Sequence, residues 1–310
     1  MSDFVNPDSR GAASPPIIQV DAFASRPFEG NPAAVCLLDR PARVSWMARV
    51  AREMNLSETA FVVPAPGGSA TTVVFGLRWF TPIVEVYLCG HATLAAAHAL
   101  WERGVVAPER SIRFETRSGP LQALRRPDGA IRLDFPALPI GRPQAPSEGL
   151  ERMLGVPIAQ AITSGMDWLI ELESETDVTE LRPDLTALAT LPARGIIVTA
   201  RAAEPESCGY DFVSRFFAPA VGVPEDPVTG SAHCRLAPFW ADRLGRRQLI
   251  GRQLSARGGT VGVELEGERV GLVGYAVTVF RAELLVPVEL ADGEGGEGFD
   301  FPVPGAVASS

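Results

Sequence analysis

Lysine is missing from all 310 residues of this chain, and every one of its 28 basic residues is arginine. That absence excludes chemistry built on a side-chain amine: a pyridoxal Schiff base, a lysine-dependent aldolase or a P-loop. Cysteine is scarce too, with four residues (Cys36, Cys89, Cys208 and Cys234) in no regular spacing, so no disulfide framework is indicated and a reduced cytoplasm is the expected location. No apolar run approaches the ~20 residues of a membrane span, and Met1 to Pro16 has neither a basic n-region nor an apolar h-region, so no leader or span is expected. The net charge of −9 argues against nucleic acid or an anionic membrane as partner. Any anionic substrate has to be attracted locally, against the overall field.

The length suits two domains of about 150 residues each. Short β-branched or alternating runs bounded by Gly, Pro or Asp predict strands, among them 17–23, 33–38, 60–63, 71–80, 111–116 and 130–135 in the first half. The second half repeats the mixture, with strands over 161–163, 168–172, 195–199, 211–217, 260–265, 269–274 and 277–284. Helices are fewer: Val44 to Met54, His91 to Arg103 closed by Gly104, and Ser231 to Leu244 closed by Gly245. The expected class is α+β, with mostly antiparallel or mixed sheet and one long helix per half. No Gly-x-Gly-x-x-Gly follows a strand, which excludes a Rossmann reading. The three prolines of Pro136 to Pro143 suggest a linker, giving domains over 16–136 and 144–288. Residues 1–15 and the Gly-rich, acidic 289–310 are expected to be loose tails.

Two segments look like one device used twice. Tyr87-Leu-Cys-Gly-His-Ala-Thr-Leu and Pro227-Val-Thr-Gly-Ser-Ala-His-Cys each place polar groups around a glycine and then begin an apolar helix, and Gly230 lies 140 residues after Gly90. A helix start offers unpaired N–H groups and a positive dipole end, so a small carboxylate can be held there without lysine or metal.

Three side chains are candidates for proton chemistry. Glu58 has apolar neighbours in Leu56, Ala60 and Phe61, a setting that raises a carboxyl pKa and suits general acid/base work; a surface turn is the plainer alternative. Asp226 sits before Pro227 in extended geometry, aimed at the same cleft or serving as a turn or cap residue. His91, first in its predicted helix, titrates in the useful range or acts as a local cap, while His98 two turns on reads as core or interface. Arg215 either pairs with a carboxylate or faces solvent. Cys89, His91, His233 and Cys234 are zinc-type ligands, but Cys-x-His and an adjacent His-Cys do not match spacings that put ligands on one metal, so no metal is expected.

Val20-Asp-Ala-Phe-Ala with Gly30-Asn-Pro-Ala-Ala-Val35, Ala51 to Phe61, Arg78-Trp-Phe-Thr-Pro82, Leu88 to Ala95 and Glu225 to His233 together resemble the PhzF-like (phenazine biosynthesis) family, in order from about residue 17 to about 285. The resemblance implies a diaminopimelate epimerase-like fold: two similar domains, each a sheet curled around a central helix, with the active site between them. It implies cofactor-free isomerisation of a small carboxylic acid by proton transfer, and a cytoplasmic homodimer. The family's catalytic glutamate, histidine and aspartate fall on Glu58, His91 and Asp226, and its substrate contacts on Gly90, Gly230, Ser231 and Asn31, with Cys89 beside them. Related epimerases need a cysteine at each helix start. Cys89 fills the first place and Pro227 occupies the second, which disfavours a two-thiol epimerase. The leading expectation is an isomerase acting on an unsaturated or hydroxy acid; the alternatives are an amino-acid epimerase using Glu58 and Cys89, or a non-catalytic metabolite-binding homologue.

Overall fold

The computed structural model describes residues 14–145 and 148–291, in two compact units. The first runs through β1 (Pro16–Ala22), β2 (Asn31–Leu37), α1 (Val44–Met54), β3 (Glu58–Pro64), β4 (Thr72–Phe80), β5 (Glu85–Val86), α2 (Gly90–Glu102), β6 (Ser111–Glu115) and β7 (Leu121–Arg125). The second begins with β8 (Ile131–Pro136), β9 (Arg142–Gln144), α3 (Glu148–Leu154), β10 (Gln160–Ser164), β11 (Asp167–Glu171), α4 (Glu175–Glu180) and α5 (Leu185–Leu188). It continues with β12 (Gly195–Arg201), α6 (Pro205–Cys208), β13 (Phe212–Ala218), β14 (Val223–Asp226), α7 (Gly230–Leu244), β15 (Gln248–Gln253), β16 (Gly259–Glu266) and β17 (Arg269–Gly274). The last strand, β18 (Ala276–Glu283), returns to the first unit.

The two units share one ladder pattern. In the first, β2 and β3 are parallel, β3 and β4 antiparallel, β4 and β6 parallel, β6 and β7 antiparallel. In the second the same alternation runs through β11, β12, β13, β15 and β16. Each parallel crossover between the later strands carries a long helix, α2 in one unit and α7 in the other.

Burial explains these elements. α1 turns Trp46, Met47, Val50 and Ala51 to one face, where they pack with Phe61 and Phe80 of the sheet, and it ends on Asn55 in left-handed geometry (φ 50, ψ 36). α2 is buried almost all round, from His91 to Trp101 with only His98 half-exposed, as an alanine-rich helix enclosed by its own sheet must be. In the second unit α3, α4 and α5 cover the opposite face of the strands through Leu150, Leu154, Val178 and Leu188. Glycine is required at Gly30, whose φ is +66 and where a Cβ would stand 2.2 Å from the Ala22 carbonyl oxygen.

The expected domain boundaries are corrected by strand pairing. Ile131–Pro136 does not close the first domain; it pairs with β17, so the units part at Arg125/Arg126 rather than at the proline-rich 136–143. Ala22–Asn31 belongs to the second unit, and the segment from Ala276 belongs to the first, where β18 pairs with β1 and packs on α2. The expected tails are also shorter. Arg43 and Ala291 donate backbone bonds to Glu289 and Pro41, and Leu284 to Pro15, so 14–15 and 289–291 are tied down. The remainder of both predicted tails lies outside the described residues. Among the described residues, no helix is long and apolar enough to cross a membrane.

Candidate active site

In the first unit, three predicted residues meet. Glu58 is the first residue of β3, opposite Ala33, so its carboxylate sits at the strand's end rather than in the apolar wall formed by Ala60 and Phe61. Cys89 is the N-cap of α2 in extended geometry (φ −145, ψ 110), and His91 is the second helical residue. The change from extended to helical backbone brings their side chains together, with Cys89 Sγ 3.5 Å from His91 Nδ1. On the other edge of the ring, His91 Nε2 lies 3.1 Å from Glu58 Oε2. That contact is close but outside hydrogen-bond alignment, a charge contact more than a directed bond. The imidazole, 5% exposed, therefore stands between a thiol and a carboxylate.

The electrostatics follow from that placement. Burial alone would lower the His91 pKa, but the acidic Cys89 and Glu58 side chains beside it outweigh burial and carry it well above 6.5. Burial pushes the Cys89 thiol up from 9.0, and Glu58 adds to the rise against the opposing pull of His91. The apolar neighbours read from the sequence are present, yet what faces the carboxylate is a base.

The second unit organises Asp226. One carboxylate oxygen accepts from Asn31 Nδ2 at 2.9 Å, and the other from the Thr229 hydroxyl. Asn31 Nδ2 also reaches the Val228 carbonyl at 2.8 Å, so this buried amide braces the turn that carries Asp226. Gln253 completes the brace, accepting from Thr229 N–H at 2.9 Å and donating to the Asp226 carbonyl at 2.8 Å. Gly230 opens α7 and Ser231 is its second residue. The N-cap is Thr229; it is this residue, and not Pro227, that occupies the place equivalent to Cys89, because helix α7 begins three residues after the proline. Neither N-cap side chain, of Cys89 or of Thr229, caps its helix.

Sequence reading missed a second set. Arg194, one residue before β12, donates Nε and Nη2 to the two oxygens of Asp167 at 2.8 and 2.6 Å, and Nη2 also lies 3.2 Å from Ser231 Oγ. Arg235 of α7 adds a second guanidinium to the same wholly buried carboxylate. The signal in the sequence was a lone Asp one residue before the strand expected over 168–172. Arg215 does not face solvent; it is buried and paired with a carboxylate, both oxygens of Glu225, at 2.7 and 2.9 Å. His98 is half-buried and contacts Thr278 at 3.1 Å. Of the four zinc-type ligands considered, Cys89 and His91 meet each other, whereas buried His233 bonds back to the Thr229 carbonyl at 2.8 Å and is pushed down to about 4 by desolvation. A cavity of about 410 Å³ in the first unit, lined by Leu37, Val62, Phe75 and Leu100 among others, contains none of these residues.

The sequence profile of the phenazine biosynthesis-like protein family matches residues 20–282. Uncharacterized isomerases of Pseudomonas aeruginosa and Halalkalibacterium halodurans are 53% and 48% identical, over 84% and 87% of this chain and 95% and 98% of theirs. The crystal structure of a PhzF-family protein from Enterococcus faecalis superposes with a TM-score of 0.80 at 40% identity, covering 88% of this chain and all of that one. The α+β architecture of two similar units, each around a central helix, is accordingly the diaminopimelate epimerase-like one. With a profile match over most of its length and relatives this close, the chain belongs to the phenazine biosynthesis-like family, as one of its isomerases.

Proposed function

We propose that the protein isomerises a small unsaturated or hydroxy carboxylic acid by moving a proton between two of its carbons, without a cofactor. The observation that supports this most is the contact of Glu58 with His91 at the uncapped start of α2. A carboxylate beside an imidazole can take a proton from a carbon activated by the substrate's acid group, and the same carboxylic acid can return it to a second carbon as the double bond shifts. His91, held towards its charged form, stabilises the electron density that builds up between the two steps. The first-turn amides of α2, beside that pair in the same unit, are assigned to the substrate carboxylate.

A second reading has one observation in its favour: Cys89 belongs to the same cluster, so a Glu58/Cys89 pair could act on the two faces of an amino acid. Thr229 in place of a second cysteine and the raised Cys89 thiol weigh against it. The test is a panel of small hydroxy, unsaturated and amino acids incubated with chelated enzyme in D₂O and followed by proton NMR. Loss of a substrate C–H signal with appearance of a shifted double bond is the expected result. Inversion at an amino-acid α-carbon without a double-bond shift would favour the epimerase, and no exchange or conversion in any acid would contradict both.

A further inference from the structure

The cluster that carries the proposed proton transfer has a second capacity. One donor atom from each of Glu58, Cys89 and His91 lies within 4.8 Å of the others, and the group is largely buried: Cys89 is 7% exposed, His91 5%, and the Glu58 side chain 18%. Zinc binds thiolate at ~2.3 Å and imidazole at ~2.0–2.1 Å, so two such ligands on one tetrahedral ion stand about 3.5 Å apart. The Cys89 Sγ to His91 Nδ1 separation is 3.5 Å. These two donors already hold a chelating spacing, and the N-cap and second-residue positions that create it are fixed by the start of α2. A carboxylate oxygen on the same ion would stand about 3.3 Å from Nδ1; Glu58 Oε2 lies 3.1 Å from the other ring nitrogen, Nε2, so its side chain has to swing to the Nδ1 edge to complete the site.

We infer that Glu58, Cys89 and His91 form a reversible zinc site that switches the proton-transfer cluster off. The inference rests on the proposed function only for what is blocked; the metal site itself stands on the three donors. Binding converts the Cys89 thiol to a thiolate and leaves His91 neutral, so one proton is released from sulfur, and a second from the imidazole when it starts protonated, while Zn²⁺ is bound by S⁻, N and O⁻. The product carries no net charge, which suits a buried position. The positive end of α2 opposes a cation there, and two anionic ligands on the ion outweigh that effect. Soft-to-borderline donors of this kind select zinc, cobalt and copper over magnesium and calcium. With Glu58 and His91 both committed to the ion, neither can carry a proton.

Cobalt(II) is the probe, because a thiolate ligand gives it a near-ultraviolet charge-transfer band that carboxylate and imidazole do not. The full chain, chelated, dialysed and kept reduced, is titrated with Co²⁺. The expected result is a band that saturates at one equivalent, is displaced by one equivalent of Zn²⁺, persists in Cys208→Ser, is lost in Cys89→Ser, and weakens at least tenfold in apparent affinity in Glu58→Gln. Cys208 is the exposed thiol and so the control. Circular dichroism of each variant verifies that it is folded. No thiolate band at one equivalent, or a band that survives Cys89→Ser, overturns the site. The two readings separate cleanly: a cobalt band with solvent exchange that does not depend on Glu58 refutes the proton-transfer function alone, and Glu58-dependent exchange without a band refutes the zinc site alone.

Discussion

The starts of α2 and α7 are built on the same backbone and carry opposite chemistry. Each follows an extended N-cap, Cys89 or Thr229, and begins with glycine. Four residues after the N-cap, a side chain bonds back to the cap carbonyl: Thr93 Oγ1 to Cys89 at 2.6 Å, His233 Nδ1 to Thr229 at 2.8 Å. The second helical residue of each is met by a charged side chain, from the first residue of β3 in one unit and from the residue before β12 in the other. In the first unit Glu58 meets His91; in the second Arg194 meets Ser231. One start therefore holds an acid against a base, the pair on which the proposed proton transfer rests, and the other holds a guanidinium, already paired with Asp167, against a hydroxyl.

The comparison can be broken most severely at Asp167. This carboxylate is fully buried and accepts from both Arg194 and Arg235, so Asp167→Ala leaves two guanidinium groups without their counter-charge. A loss of about 3–5 kcal/mol is expected in urea unfolding, the range for breaking a buried pair. A loss below ~1 kcal/mol would show that the arginines find other partners and that Arg194 is not fixed against Ser231.

The two helix-start histidines sharpen the contrast by titrating in opposite senses. His233, neutral and pushed down to about 4, contributes stability that is complete above its unfolded pKa near 6.5 and is lost as pH falls from there towards 4, on the order of 3 kcal/mol over the window. His91, raised well above 6.5, does the reverse: its contribution is complete below 6.5 and is lost as pH rises through its folded-state value. Denaturation of wild type, His91→Gln and His233→Gln at pH 5 to 9 should therefore show the His91 gap shrinking with rising pH and the His233 gap shrinking with falling pH. Parallel profiles would remove the distinction between the two starts. The smallest expected effect is at Thr93, where Thr93→Val removes the bond to the cap carbonyl, which keeps the Thr93 amide as a partner at 3.2 Å. About 0.5–1.5 kcal/mol should be lost in the same unfolding assay, and no change would mean the hydroxyl contributes nothing to that helix start.

What was legible in the sequence was local. The helix expected over Val44 to Met54 is α1 with those bounds, and its buried Trp46, Met47, Val50 and Ala51 stand at helical spacing. Gly90 and Gly230, paired by their offset, both prove to be first helical residues. Glu58 and His91 are brought together, although the base beside Glu58 lies 33 residues away and could not be read from its apolar neighbours. Long-range pairing was not legible. The proline-rich 136–143 looks like a linker because local chemistry marks turns, but the membership of β8 is decided by β17, far along the chain. The same holds for Asn31 bracing Asp226 across 195 residues, and for Arg194 and Arg235 converging on Asp167.

The role of the α2 start is tested most directly by measuring solvent exchange and substrate affinity together for Glu58→Gln, on the first acid that the D₂O panel identifies. Glu58→Gln should lower the exchange rate by about 10²–10⁴ with KM within a few-fold of wild type, as expected for a lost general acid/base. Exchange that persists in Glu58→Gln would contradict the account.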